Sequence, residues 1–156
     1  MNLRSYTLLA CIVGLAFVLT SCDTTEPETR RILIPREVQS SQYTTTESGL
    51  KYYDFIVGEG AEAGEDSRVT VNFAAWLSDQ SLLSNTFDGD NPLTVDLASE
   101  NIVEGWSEGV PGMRVGGQRQ LVVPPSLAYG EDGYPEGGIP ANATITYEIE
   151  LLEVEE

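Results

Sequence analysis

The chain has 156 residues, 41% of them apolar, which is enough for one domain with a core of its own. Its 25 Asp and Glu against 8 Lys and Arg give a net charge of −17, which excludes a nucleic-acid partner, because phosphate binding needs clustered cations. Histidine is absent, excluding His-based acid–base catalysis, Ser–His–Asp and Cys–His nucleophiles and His-ligated zinc, and two cysteines, Cys11 and Cys22, are too few for a disulfide framework.

The first element is an apolar run. Met1 to Arg4 carry one positive charge, and residues 5–21 follow without any charge, rich in Leu, Val, Ala and Ile. A membrane-spanning helix needs about 20 apolar residues. A shorter run at the N-terminus behind a basic flank reads as a signal peptide over residues 1–21. It ends Leu19-Thr20-Ser21-Cys22, which resembles the bacterial lipobox. That resemblance implies cleavage before Cys22 and lipidation of Cys22. The alternative is an ordinary signal with a chance cysteine. The expectation is an exported protein of a bacterial cell envelope, anchored to a lipid bilayer through acylated Cys22, on the periplasmic or cell-surface side, without spanning it.

Residues 22–46 read as a flexible tether, rich in Thr, Glu, Ser and Pro. Within it, Arg31-Ile32-Leu33-Ile34-Pro35 is a short apolar interruption that could dock as an edge strand, with Pro35 limiting its length. The domain is expected over residues 47–156. It holds 21 acidic and 4 basic residues, so the whole charge excess lies in it, spread along the chain as a solvated surface.

Five strands are predicted in the domain. They are Leu50–Val57, Arg68–Leu77, Pro92–Asp96, Gln118–Val123 and Ala143–Leu152. Val69, Val71 and Phe73 alternate onto one face of the second, and Ile145, Tyr147, Ile149 and Leu151 onto one face of the last. One helix is predicted around Ile102, Val103, Trp106 and Val110, with Asn101 and Glu104 as its start and Gly112 as its end. The fold class is α+β, a twisted antiparallel β-sheet wrapped around one short α-helix.

Two motifs suggest chemistry that the sequence does not support. Gly105-Trp-Ser107-Glu-Gly109 has the spacing of a hydrolase nucleophile elbow. It falls in the helix, not between strand and helix, and no histidine exists to serve as base. Asp88-Gly-Asp90-Asn91 has the acidity of a calcium loop, but Pro92 and the glycine stand at the wrong positions. It reads as an acidic turn, so no metal and no cofactor are expected.

Several words occur in order with consistent spacing: Ile102-Val-Glu-Gly-Trp106-Ser-Glu-Gly-Val110, Gly112-Met-Arg-Val-Gly-Gly117-Gln-Arg, Val123-Pro-Pro-Ser-Leu-Ala-Tyr129-Gly130, Ile139-Pro-Ala-Asn-Ala-Thr144 and Glu148-Ile-Glu-Leu-Leu152. Together they resemble the FKBP family of peptidyl-prolyl cis–trans isomerases. The resemblance implies an FKBP-like fold and isomerisation of X-Pro segments of exported proteins. A binding module or chaperone holding such segments without useful turnover is the alternative. It also implies site residues. Trp106 becomes the floor under the proline ring. The Val103 backbone N–H and the Tyr129 hydroxyl bond peptide carbonyls. Phe73, Leu93, Ile102, Val103, Ile139 and Tyr147 form the walls. Tyr129, Trp106, Val103 and Phe73 are thus the candidate catalytic residues. Read as an isolated helix, Trp106, Ile102 and Val103 are core; the flanking words turn Trp106 and Tyr129 to the site, and Leu93 and Tyr147 suit core or wall.

The chain departs from the family pattern where members usually place Phe then Asp. Counting without gaps puts Leu83 and Ser84 there; sliding Phe87-Asp88 into the role needs compensating insertions and deletions. Leu83 and Ser84 are therefore the remaining candidate substrate-binding residues. Phe73 stands where tyrosine is usual, and Tyr134 where some members have histidine.

Overall fold

The computed structural model describes residues 34–89 and 91–155. The signal peptide, the lipidation site Cys22 and the first part of the tether lie outside the described residues. Seven strands form one antiparallel sheet: β1 (Thr44–Thr45), β2 (Lys51–Ile56), β3 (Arg68–Leu77), β4 (Leu82–Asn85), β5 (Leu93–Asp96), β6 (Gln118–Val123) and β7 (Ile145–Glu155). Their spatial order is β1-β2-β6-β7-β3-β4, with β5 sharing the outer edge of β3. β5 pairs with the first half of β3, Arg68 to Val71, and β4 with the second, Ala74 to Trp76.

The period-2 alternation decides which face is buried. Val69, Val71 and Ala75 of β3, Leu121 and Val123 of β6, and Ile145, Tyr147, Ile149 and Leu151 of β7 point to one face. There they pack with Trp106 and Val110 of the helix α1 (Glu104–Gly109) and its end. Helix and sheet approach closely because two helical positions are glycine. A Cβ on Gly105 would lie 2.5 Å from a Val123 methyl, and one on Gly109 would lie 2.8 Å from a Leu121 methyl. The side chain of Arg119 reaches the helix C-terminus, donating to the Gly109 carbonyl at 2.8 Å and to Asp54 at 2.6 and 3.0 Å. A cation there satisfies a carbonyl the helix leaves unpaired.

Strands β3 and β6 have their expected bounds, and β2, β5 and β7 differ only at their ends. Two short strands, β1 and β4, were not anticipated. The helix begins later than expected. Val103, not Asn101, is its N-cap, and no side chain caps it; Asn101 hydrogen-bonds to Ser99 instead. Gly112, at φ +79°, follows a helix already ended at Gly109.

The tether expected to reach Thr46 is engaged with the sheet from Arg36 onward. Gln120 and Glu148 lie opposite each other on the second face of the sheet, each 1% exposed. Arg36 donates its backbone N–H and its Nε to the Glu148 carboxylate at 2.6 and 2.7 Å. Its carbonyl accepts from Gln120 at 2.9 Å, and its guanidinium lies 3.4 Å from the centre of the Phe55 ring. Tyr43 donates to Gln120, and β1 then pairs with β2. A polar composition that cannot form a core can still cover a sheet whose buried groups are polar. Ile34 is exposed and belongs to no strand.

Candidate active site

A pocket of about 270 Å³ opens between the helix start, the outer half of β3 and the loop after β6. At its base three rings meet nearly edge to face. Phe73 and Trp106 have centroids 5.2 Å apart at 85°, and Trp106 and Tyr147 have centroids 5.6 Å apart at 87°. Such T-shaped pairs place the positive edge of one ring on the negative face of the next. Phe73 comes from β3, Tyr147 from its partner β7, and Trp106 from the helix laid across them. Trp106 is 4% exposed, and its indole N–H is buried without a hydrogen-bond partner. A buried donor left unpaired costs about 1–3 kcal/mol, so this one is a feature that demands a reason.

All ten side chains singled out for the site within the described residues meet in this lining. Phe73, Trp106 and Tyr147 are joined by Leu83, Ser84, Leu93, Ile102, Val103, Tyr129 and Ile139. The edge of β3 explains how Leu83 and Ser84 both reach the pocket. Ala75 pairs with Ser84 and Trp76 with Leu82, so Leu83 is the extra residue of a bulge. A bulge lets successive residues depart from strict alternation. Phe87 goes elsewhere, packing on Ala74 and Trp76 on the other face of β3. The lining also includes Ala75, Val95, Asn101, Tyr134 and Gly137, which the sequence reading did not assign to the site. Ala75 continues the Val69–Val71–Phe73 alternation and Val95 that of Leu93, so those two were there to be found. Tyr134 and Gly137 arrive by loop closure, which leaves no periodic trace.

Among the described residues, no Asp, Glu, Lys, Arg or Cys lines the pocket. Burial pushes the Tyr147 hydroxyl far up, with a smaller contribution from Tyr129, and burial followed by the neighbouring Tyr134 raises that of Tyr129. Ser107, at the centre of the elbow-like motif, donates its hydroxyl to the Leu97 carbonyl at 2.9 Å and serves the fold.

The family model described as FKBP-type peptidyl-prolyl cis-trans isomerase matches residues 59–152. The chain belongs to this family. It is 41% identical over 158 residues to the chloroplastic peptidyl-prolyl cis-trans isomerase FKBP16-4 of Arabidopsis thaliana, covering 96% of this chain and 68% of that protein. It is 38% identical over 108 residues to an FK506-binding protein of Neisseria meningitidis serogroup B, covering 69% of this chain and 98% of the relative. Among solved structures, FkpA from Escherichia coli superposes with a TM-score of 0.68 at 34% identity, covering 75% of this chain and 53% of that one. The antiparallel sheet around one short helix is the FKBP fold. Leu83, Ser84 and Phe73 stand in the lining of the pocket, and among the described residues no carboxylate does.

Proposed function

We propose that the chain is an exported, lipid-anchored isomerase that rotates X-Pro bonds of other exported polypeptides. The family membership supports isomerisation, and the residues of the pocket supply its physical reason. Rotation of a peptide amide meets a barrier of about 18–20 kcal/mol because resonance is lost at the twist. The planar amide is the more charge-separated state. Water stabilises it, and an apolar pocket does not, so transfer into the pocket lowers the twisted state relative to the planar one. No bond is made or broken, and no acid, base or cofactor is required.

In this reading the proline ring sits on Trp106 between Phe73 and Tyr147. Leu93, Ile102 and Ile139 close the walls, and Leu83 and Ser84 form the outer side. Val103, as the helix N-cap, has its N–H outside the intrahelical ladder and free to meet a substrate carbonyl, while Tyr129 offers its hydroxyl to another. The observation that carries the proposal is the edge-to-face box of Phe73, Trp106 and Tyr147 in a pocket that no charged side chain among the described residues lines.

Export and anchoring rest on the signal-like run and on Leu19-Thr20-Ser21-Cys22. Arg36 of the arm lies on the face of the sheet opposite the pocket, and β1 forms the sheet edge beside β2. Replacing Cys22 with Ala should release the protein from the membrane fraction; a wild-type protein that is wholly soluble and retains Ser21 contradicts the anchor. A protease-coupled assay on an X-Pro peptide tests the activity. Turnover above the uncatalysed rate is expected, and binding without turnover favours the second reading, a chaperone-like module, which the missing Phe-Asp pair favours.

A further inference from the structure

Tyr129 and Tyr134 stand on one lip of the pocket, in the loop between β6 and β7. Their rings stack with centroids 5.6 Å apart and planes only 12° from parallel. Tyr134 is pressed from another side by Gly137. A Cβ there would come within 2.4 and 2.6 Å of the Cδ1 and Cε1 atoms of the Tyr134 ring, a distance no real side chain tolerates. The ring thus occupies the space a side chain at Gly137 would take.

The backbone around the pair is closed twice. Tyr134 N–H donates to the Ile139 carbonyl at 2.8 Å, and Ile139 N–H returns to the Tyr134 carbonyl at 2.9 Å. Gly137 N–H also donates to the Tyr134 carbonyl, at 3.0 Å, and Gly133 N–H to that of Tyr129, at 3.0 Å. Tyr134 nevertheless remains 44% exposed. A ring so exposed contributes little to the core, and this one is fixed by a tight loop all the same. What it does contact is the ring of Tyr129 on the pocket wall.

We infer that Tyr134 is a positioning residue for Tyr129, holding its side chain against the pocket through the stack, and that Gly137 supplies the space the stack requires. The inference rests on the isomerase reading of the pocket. Without the Tyr134 ring, the half-buried Tyr129 gains rotamers that take its hydroxyl away from the substrate carbonyl, so fewer molecules carry a competent site. Phenylalanine at 134 keeps the ring and therefore the function.

A double-mutant cycle on the full mature chain tests this through kcat/KM on an X-Pro peptide. Tyr134→Ala should lower kcat/KM three- to tenfold with the melting temperature held within about 2 °C, and Tyr134→Phe should stay within twofold of wild type. Gly137→Ala, which displaces the ring by its Cβ, should reproduce the loss. In a Tyr129→Phe background, Tyr134→Ala should change almost nothing, because the hydroxyl it positions is gone. Equal losses in both backgrounds, or Tyr134→Phe as poor as Tyr134→Ala, overturn the inference alone. Tyr129→Phe at full wild-type activity likewise overturns the inference alone, whereas a wild type without isomerase activity overturns the isomerase reading and this inference with it.

Discussion

Leu83 and Ser84 line the outer wall of the pocket, and the proposed mechanism makes them the residues that limit its rate. A serine hydroxyl on the outer wall can make a neutral hydrogen bond worth about 0.5–1.5 kcal/mol, against about 1.5–3 for one to a charged group. If the bond strengthens as the amide twists, the difference is about tenfold in rate. Leu83→Phe with Ser84→Asp should therefore raise kcat/KM about tenfold; a folded double variant that gains nothing would mean these two positions do not bound the substrate. Trp106→Ala should abolish measurable turnover and also cost about 3–5 kcal/mol of unfolding free energy, since the ring is both pocket base and core. Urea unfolding followed alongside activity separates the two effects. At this scale most of the site was legible, because Trp106, Val103, Tyr129 and Ile139 stand in contiguous words. Tyr134 and Gly137 were not, since what makes them matter is a ring lying where another residue has no Cβ, a relation that exists only after the loop closes.

Among the elements, the arm before the domain matters most for stability. Glu148 is buried opposite Gln120, and the described partner that neutralises it is Arg36, from a segment outside the matched family region. Removing one member of a buried pair leaves an uncompensated charge, at a cost of about 3–5 kcal/mol. Arg36→Ala, or a chain truncated to begin at Glu47, should lose stability on that order in denaturant melts, whereas Arg36→Ala with Glu148→Gln should recover much of it. An unchanged midpoint for Arg36→Ala would show that the arm is not integral. The five longer strands and the helix were readable because alternation and 3.6-residue spacing are local signals. The arm and β1 were not. Their Ser, Thr and Gln residues carry no periodicity; Arg36 holds through polar partners 84 and 112 residues away in the chain, and β1 has only two residues. β4 was missed for a related reason: its bulge breaks the alternation that marks a strand.

The whole molecule concentrates like charge. Every arginine among the described residues is paired, Arg36 with Glu148, Arg68 with Glu155, Arg114 with Glu62 and Arg119 with Asp54, and the acidic excess stands uncompensated around them. Screening lengths fall from about 10 Å at 0.1 M salt to about 3 Å at 1 M. The melting temperature should therefore rise between 0.1 and 2 M KCl, and a flat or falling curve would contradict a repulsion-limited fold. At the other end of the pH scale, Tyr147, Tyr129 and Tyr43 all have hydroxyls raised above the usual tyrosine value, chiefly by burial. A raised folded pKa means that the folded state keeps its proton where the unfolded chain loses it. This contribution is fully present below about pH 10, the unfolded value, and is lost as pH climbs through the folded values. Urea midpoints should hold to near pH 10 and fall beyond it, less steeply in Tyr147→Phe.

Whether the aromatic box rotates an amide is read by exchange NMR on an X-Pro peptide with the protein at catalytic concentration. Cis–trans exchange cross-peaks should appear with wild type and vanish with Trp106→Ala, while the unpartnered Trp106 indole N–H resonance shifts on peptide addition. A shifted indole resonance with no acceleration of exchange would contradict rotation by the box, leaving a pocket that binds proline and does not turn it.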